Sequence, residues 1–244
     1  MPAKPLRLAA LCLALALPAS AQTLRIGTEG AFAPYNFIDN GGTLQGFDID
    51  VGNAICAEAG LTCEWVLEPW ASIIPGLLKH RYDAIMAGMA ATPERAELIA
   101  FSAGYEDGGA SALFVCPANA PLPNPETALI AVQTETIHLD YVKERGLRYV
   151  AYPHADDLAK AVATGAADLA LGSTTHLRGL IQNAPGRLRE VSSVEIDTGE
   201  TIVGLRKEDV ELKTKIDAAI ITLRDDGTIA ALRDKWFSAG AGTF

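Results

Sequence analysis

The run Thr92-Pro93-Glu94-Arg95 brings together what a carboxylate site needs. Thr92 suits a helix N-cap, and Pro93 suits the first helical position, where its missing N–H costs nothing. The unpaired N–H groups of such a first turn favour an anion. Arg95 adds a planar fork able to make two parallel, charge-assisted bonds to a carboxylate. Spacing alone leaves a second reading open, a solvated arginine paired with Glu94 or Asp83.

Other chemistries find less support. His80, His138, His154 and His176 stand apart, with no pair at metal-ligand spacing, so neither a metal nor another cofactor is expected. Neither Ser173 nor Cys116 has a recognisable base partner, and no catalytic residue is expected.

The elements that must position Arg95 are legible as alternating strands and helices. LRIGTEG reads as a first strand, and FDIDVGNAICAEAG as a helix ending at Gly60. CEWVLEP follows as a strand, ASIIPGLLKHR as a helix broken at Pro75-Gly76, and DAIMAGM as a third strand. TPERAEL opens another helix, SALFVC another strand, and the proline-rich APLPNPE reads as a boundary. A second set follows: ALIAVQ, a helix from Ile137 to Arg145, LRYVAY, ADDLAKAVATG and ADLALG. The pattern predicts an α/β protein of two similar units, each a small open sheet covered by helices. The last stretch, ELKTKIDAAIITLRDDGTIAALRDKWF, reads as two amphipathic helices separated at Asp226-Gly227 and needs a sheet to pack on. Its return to the first unit would make two connections, hence a hinge.

The opening residues point to export. Lys4 and Arg7 precede an apolar run that ends in Ala19-Ser20-Ala21, the pattern of a secretory signal spanning residues 1–21. No later stretch approaches the roughly 20 apolar residues that a membrane span needs. Loss of Lys4 and Arg7 takes the formal charge from -10 to -12, a surface that repels nucleic acid and anionic lipid. In an oxidising compartment Cys56 and Cys63 are expected to pair, closing a small loop worth about 2 kcal/mol. Cys116, ending an apolar strand, reads as a buried inert thiol.

The run Gly46-Phe47-Asp48-Ile49-Asp50-Val51, followed by Ile55, Cys56 and Ala59, resembles the signature of the polar amino-acid family of periplasmic binding proteins, the receptors of ABC importers. The order of RIGTEGAFAPYNF, GFDIDV, DAIMAGMAATPERAELIAFS, GLRKEDVEL and LRDDGTIAALRDKWF agrees, so the likeness spans essentially the whole chain after residue 21. It implies a two-lobed periplasmic binding protein fold, each lobe an open, mostly parallel sheet flanked by helices, joined by a two-segment hinge. Residues 22–109 and 198–244 are then expected to form lobe I, and 110–197 lobe II. Within the signature, Asp48 and Asp50 are expected to cap or face the positive end of a helix rather than to touch ligand.

The resemblance also assigns roles. Arg95 falls on the carboxylate-binding arginine. Gly88, Met89 and Ala90 fall on positions that bind through backbone groups, with Ala90 lacking a common hydroxyl. Phe32 and Trp70 fall on the two walls for the ligand's carbon skeleton, and Glu29 on a position that contacts cationic side chains. Thr136 keeps a hydroxyl that meets the carboxylate, while Glu135 stands where a glycine is usual. Ser173 stands where an aspartate for the α-ammonium is usual. The implied protein is a monomeric periplasmic receptor taking an amino acid, opine or ectoine-like zwitterion and delivering it to a membrane permease. Two other readings stay open: a cyclohexadienyl-dehydratase-like enzyme using Glu29 or Glu135, and a binding protein serving a sensor.

Overall fold

Leu24 and Ile26 are buried in β1 (Gln22–Thr28), the strand on which the first sheet is built. The computed structural model describes residues 22–107, 111–196 and 199–238; the expected export signal lies outside them. After β1 comes an antiparallel ribbon of β2 (Ala31–Phe32), β3 (Asn36–Ile38) and β4 (Leu44–Gln45). The chain continues through α1 (Phe47–Glu58), β5 (Leu61–Leu67), α2 (Ile73–Leu78), β6 (Ala84–Ile85), α3 (Pro93–Leu98) and β7 (Ala100–Phe101). It then forms β8 (Ser111–Pro117), β9 (Ile130–Gln133), α4 (Ile137–Glu144), β10 (Tyr149–Tyr152) and α5 (Asp156–Ala163). The rest is β11 (Leu169–Ser173), α6 (Thr174–Asn183), β12 (Leu188–Glu195), β13 (Gly204–Leu205), α7 (Val210–Asp225) and α8 (Thr228–Phe237).

Two five-stranded sheets result, in the orders β5-β1-β6-β13-β7 and β10-β9-β11-β8-β12. In each, one strand runs against the other four: β13 in the first and β8 in the second. Both are the strands the chain enters on changing sheets, so the reversal marks the crossings between lobes. The crossings also pair with each other, Thr201 N–H donating to the Glu106 carbonyl at 3.0 Å and Tyr105 N–H to that of Thr201 at 2.9 Å. Ile216, Ile220 and Leu223 of α7 and Ile229 of α8 pack with Leu24, Ile26 and Val51, which gives the closing amphipathic helices the sheet they need.

One local expectation is corrected and one is refined. Pro75 and Gly76 do not break a helix but lie within the short α2, where Pro75 occupies the first turn and needs no N–H partner. Asp48 and Asp50 stand in the first turn of α1, yet no side chain caps that helix. Asp48 instead accepts from Asn36 Nδ2 at 2.9 Å and Tyr105 Oη at 2.7 Å, and Asp50 from Lys235 Nζ at 2.6 Å and Trp236 Nε1 at 2.7 Å. Gly46 takes the capping position with φ 135°, where a Cβ would sit 2.2 Å from the Tyr35 carbonyl oxygen. Cys56 and Cys63 form the expected disulfide between the last turn of α1 and β5, and Cys116 is a buried free thiol on β8.

Candidate ligand-binding cleft

The first lobe contributes a preorganised wall. Asp48 is fully buried beneath it and accepts the Gly88 N–H as well as the Asn36 and Tyr105 bonds; burial holds its carboxyl up at about 6. Gly88, at φ 59°, could carry no Cβ without coming 2.8 Å from the Phe32 ring, so glycine lets that ring lie flush with the backbone. Phe32, Trp70, Gly88, Ala90, Arg95 and Glu29 all line one cavity of about 70 Å³ at the junction of the lobes. Met89 does not. Its side chain is fully buried in the core beside Ile73 and Tyr82, and its carbonyl accepts the Ile202 N–H at 3.0 Å.

Arg95 is placed as the sequence predicts. Its N–H donates to Thr92 Oγ1, the cap of α3, at 3.3 Å. Its Nη1 donates to the Ala90 carbonyl at 2.9 Å, its Nη2 to the Glu135 carbonyl at 3.3 Å, and the guanidinium lies 5.1 Å from the centre of the Trp70 ring. Asp83, the alternative partner, pairs instead with Arg25 at 2.8 Å and Arg206 at 3.4 Å. Among the described residues no carboxylate forms an ion pair with Arg95. Burial lowers its pKa, and Asp140, Glu94 and Glu135 counteract this only at longer range.

The second lobe closes the cavity. Thr136 caps α4, accepting the Leu139 N–H at 3.3 Å and donating to the Gln133 carbonyl at 2.8 Å. Ser173 ends β11 and lines the cavity with Thr136. Glu135 sits at φ 56°, in the region that favours glycine, and its side chain is exposed outside the cavity. Its carbonyl faces inward, accepting from both Trp70 Nε1 at 3.0 Å and Arg95 Nη2.

Sequence reasoning missed Gln133, His138 and His176, which line the same cavity, and His154 at its edge. Three histidines that stand apart in sequence converge because β9, β10 and β11 end side by side. Gln133 Nε2 donates to Glu29 Oε1 at 3.0 Å, His154 Nδ1 lies 3.5 Å from the same oxygen, and His176 Nδ1 lies 2.8 Å from the Ala33 carbonyl. Each contact joins the lobes, so this is a closed conformation. Closure buries the Glu29 carboxyl to 3 % exposure. Burial raises its pKa to about 7, against the opposing pull of His154 and Gln133. Burial likewise pushes His138 down to about 4, with Arg95 adding to the shift, and lowers His176. Among the described residues no group of three or more metal-ligating side chains could hold a metal ion.

The two α/β lobes thus enclose a cleft that holds an arginine with no carboxylate counterion among the described residues. The family model for bacterial extracellular solute-binding proteins, family 3, matches residues 24–239. The chain belongs to this family. It is 30% identical over 243 residues to the putative ABC transporter arginine-binding protein 2 of Escherichia coli (strain K12), covering 96% of this chain and 99% of that protein. It is 26% identical to the octopine-binding periplasmic protein of Rhizobium meliloti, with 90% and 91% covered. Among solved structures it matches a periplasmic His/Glu/Gln/Arg/opine family-binding protein from Silicibacter pomeroyi in complex with lysine. That match has a TM-score of 0.82 and 38% identity, covering 91% of this chain and 100% of the other. These solute-binding proteins share the two-lobed fold, and no helix among the described residues of this chain is long and apolar enough to cross a membrane.

Proposed function

We propose that this chain is the periplasmic receptor of an ABC importer for a cationic amino acid or a closely related zwitterion such as an opine. The observation that carries the reading is Arg95, a half-buried guanidinium that meets two backbone carbonyls and an indole but no carboxylate among the described residues. A partly desolvated cation without a counterion is unfavourable, and a ligand carboxylate arriving between the lobes supplies one. Phe32 and Trp70 then flank the carbon skeleton, and the buried Glu29 faces the cationic end. Hinge closure brings Gln133 and His154 onto Glu29, and the closed form is what a permease would receive.

The test is calorimetric titration of the signal-free protein with L-arginine, L-lysine, L-ornithine, octopine, ectoine and L-glutamate. Tight binding confined to the cationic members and octopine supports the assignment; a preference for glutamate would overturn it. The dehydratase alternative rests on Glu29, whose carboxyl at about pKa 7 suits a general acid. Incubation with prephenate or arogenate is expected to release no product, and turnover of either would replace the receptor reading.

A further inference from the structure

A cationic amino acid brings two positive groups into the cavity, and Glu29 can neutralise only one. The acceptor for the other must be a polar atom that lines the cavity and has no partner of its own. Thr136 is committed to capping α4 and to the Gln133 carbonyl. Ser173 offers a neutral hydroxyl, a weaker acceptor for a cation than an imidazole lone pair. His176 is different: only 2 % exposed on α6, it lines the cavity with its ring 5.3 Å from that of Phe32.

The orientation of that ring fixes what it can do. Nδ1 lies 2.8 Å from the Ala33 carbonyl, an acceptor, so Nδ1 must carry the hydrogen. In the neutral imidazole, Nε2 is then a bare lone pair, and this buried atom has no hydrogen-bond partner. Asp156 Oδ1 stands 3.5 Å from it. A carboxylate oxygen and a ring lone pair are both acceptors and cannot satisfy each other; an ammonium beside the two, donating one N–H to each, satisfies both. Burial favours the neutral ring, with the Ala33 bond and Asp156 opposing.

We propose that His176 Nε2, backed by the Asp156 carboxylate, receives the α-ammonium of the ligand and makes this cleft specific for α-amino acids over their deaminated analogues. The inference rests on the Arg95 reading of the cavity and adds a specificity-determining residue to it. His176 also ties the lobes through Ala33, so loss of affinity in a variant would not by itself separate the two roles.

A cycle over ligand and protein separates them, using L-arginine and 5-guanidinopentanoate, which lacks only the α-amino group. The wild type is expected to bind L-arginine about 30-fold more tightly than the analogue, the size of a hydrogen bond to a charged group. In His176→Phe, which keeps a ring against Phe32, that preference should collapse to about threefold or less. Asp156→Asn, at a half-exposed position that the fold does not depend on, should reduce it about fivefold and serves where the His176 variant does not fold. An equal loss for both ligands in His176→Phe, or an unchanged preference in Asp156→Asn, overturns the ammonium role. Wild-type binding of both ligands with equal affinity overturns it while leaving Arg95 and its carboxylate intact. Wild-type binding of neither overturns both.

Discussion

The two lobes meet the ligand in different ways. On the first, Gly88 and Arg95 are held from behind: Asp48 ties Asn36, Tyr105 and the Gly88 N–H into one buried network, and the α3 cap orients Arg95. On the second, the lining departs from the pattern that the resemblance implies, with a non-glycine at φ 56° and a serine where an aspartate is usual. Three histidines gather at its rim. On the proposed reading the first lobe carries the anion-recognising part of the cleft, and the second carries most of the departures from the pattern that the resemblance implies. Rigid support suits the part that binds first, while variation suits the part that closes afterwards.

The comparison breaks most directly at Arg95. Arg95→Ala should weaken L-arginine binding about 1000-fold, since it removes the arginine proposed to hold the carboxylate, and should leave the melting temperature near wild type. Titration calorimetry with a thermal melt reads both quantities. An affinity within tenfold of wild type would move carboxylate recognition to the second lobe and reverse the division just drawn.

Glu29 sharpens it, because its environment is made by both lobes. Its carboxyl is raised to about 7 in the closed form, above the unfolded value of about 4.3. The folded protein therefore holds a proton there that the unfolded chain has lost, and stability falls as pH rises from the unfolded value through about 7. Glu106, raised to about 7, and Asp48, raised to about 6, act with the same sign; His138, pushed down to about 4, acts oppositely between that value and its unfolded one. A single melt would mix these groups, so the difference between proteins is the useful measurement. Glu29→Gln stays neutral and keeps an acceptor for Gln133. Its stability relative to wild type should rise by about 2 kcal/mol between about pH 5.5 and about pH 8. A difference that stays flat across that range would mean that Glu29 is not buried by closure in solution.

How much of this was legible in the sequence follows the same division. The alternation of strands and helices, the α3 cap, Arg95 and the aromatic pair could be read because each depends on a local pattern or a recognisable motif. The ribbon β2–β4 was missed because two- and three-residue strands carry no periodicity, and β12 because its half-exposed pattern mixes faces. Gln133, His138 and His176 were missed for a different reason. Each acquires its role from a partner far away in sequence, Glu29, Arg95 or Ala33, that only closure brings near. Met89 was read as a backbone contact only, and its side chain, which no motif places, faces the core.

Glu135 offers the smallest effect and the finest test of which lobe-II features matter. Its backbone is in the left-handed region, where a Cβ costs about 1–2 kcal/mol, while glycine loses about 0.5–1 kcal/mol more chain entropy on folding. Glu135→Gly should therefore stabilise the protein by about 0.5 kcal/mol, raising the melting temperature by about 1–2 °C. The carbonyl that receives Trp70 Nε1 and Arg95 Nη2 is retained, and the carboxylate that is lost stands outside the cavity. Affinity for L-arginine should then stay within about twofold of wild type, as expected for an exposed charge acting at a distance. A loss of tenfold or more would show that the Glu135 carboxylate turns inward on the ligand. The cation would then be shared between Glu29 and the second lobe, and the contrast between the two lobes would become one of two charged faces.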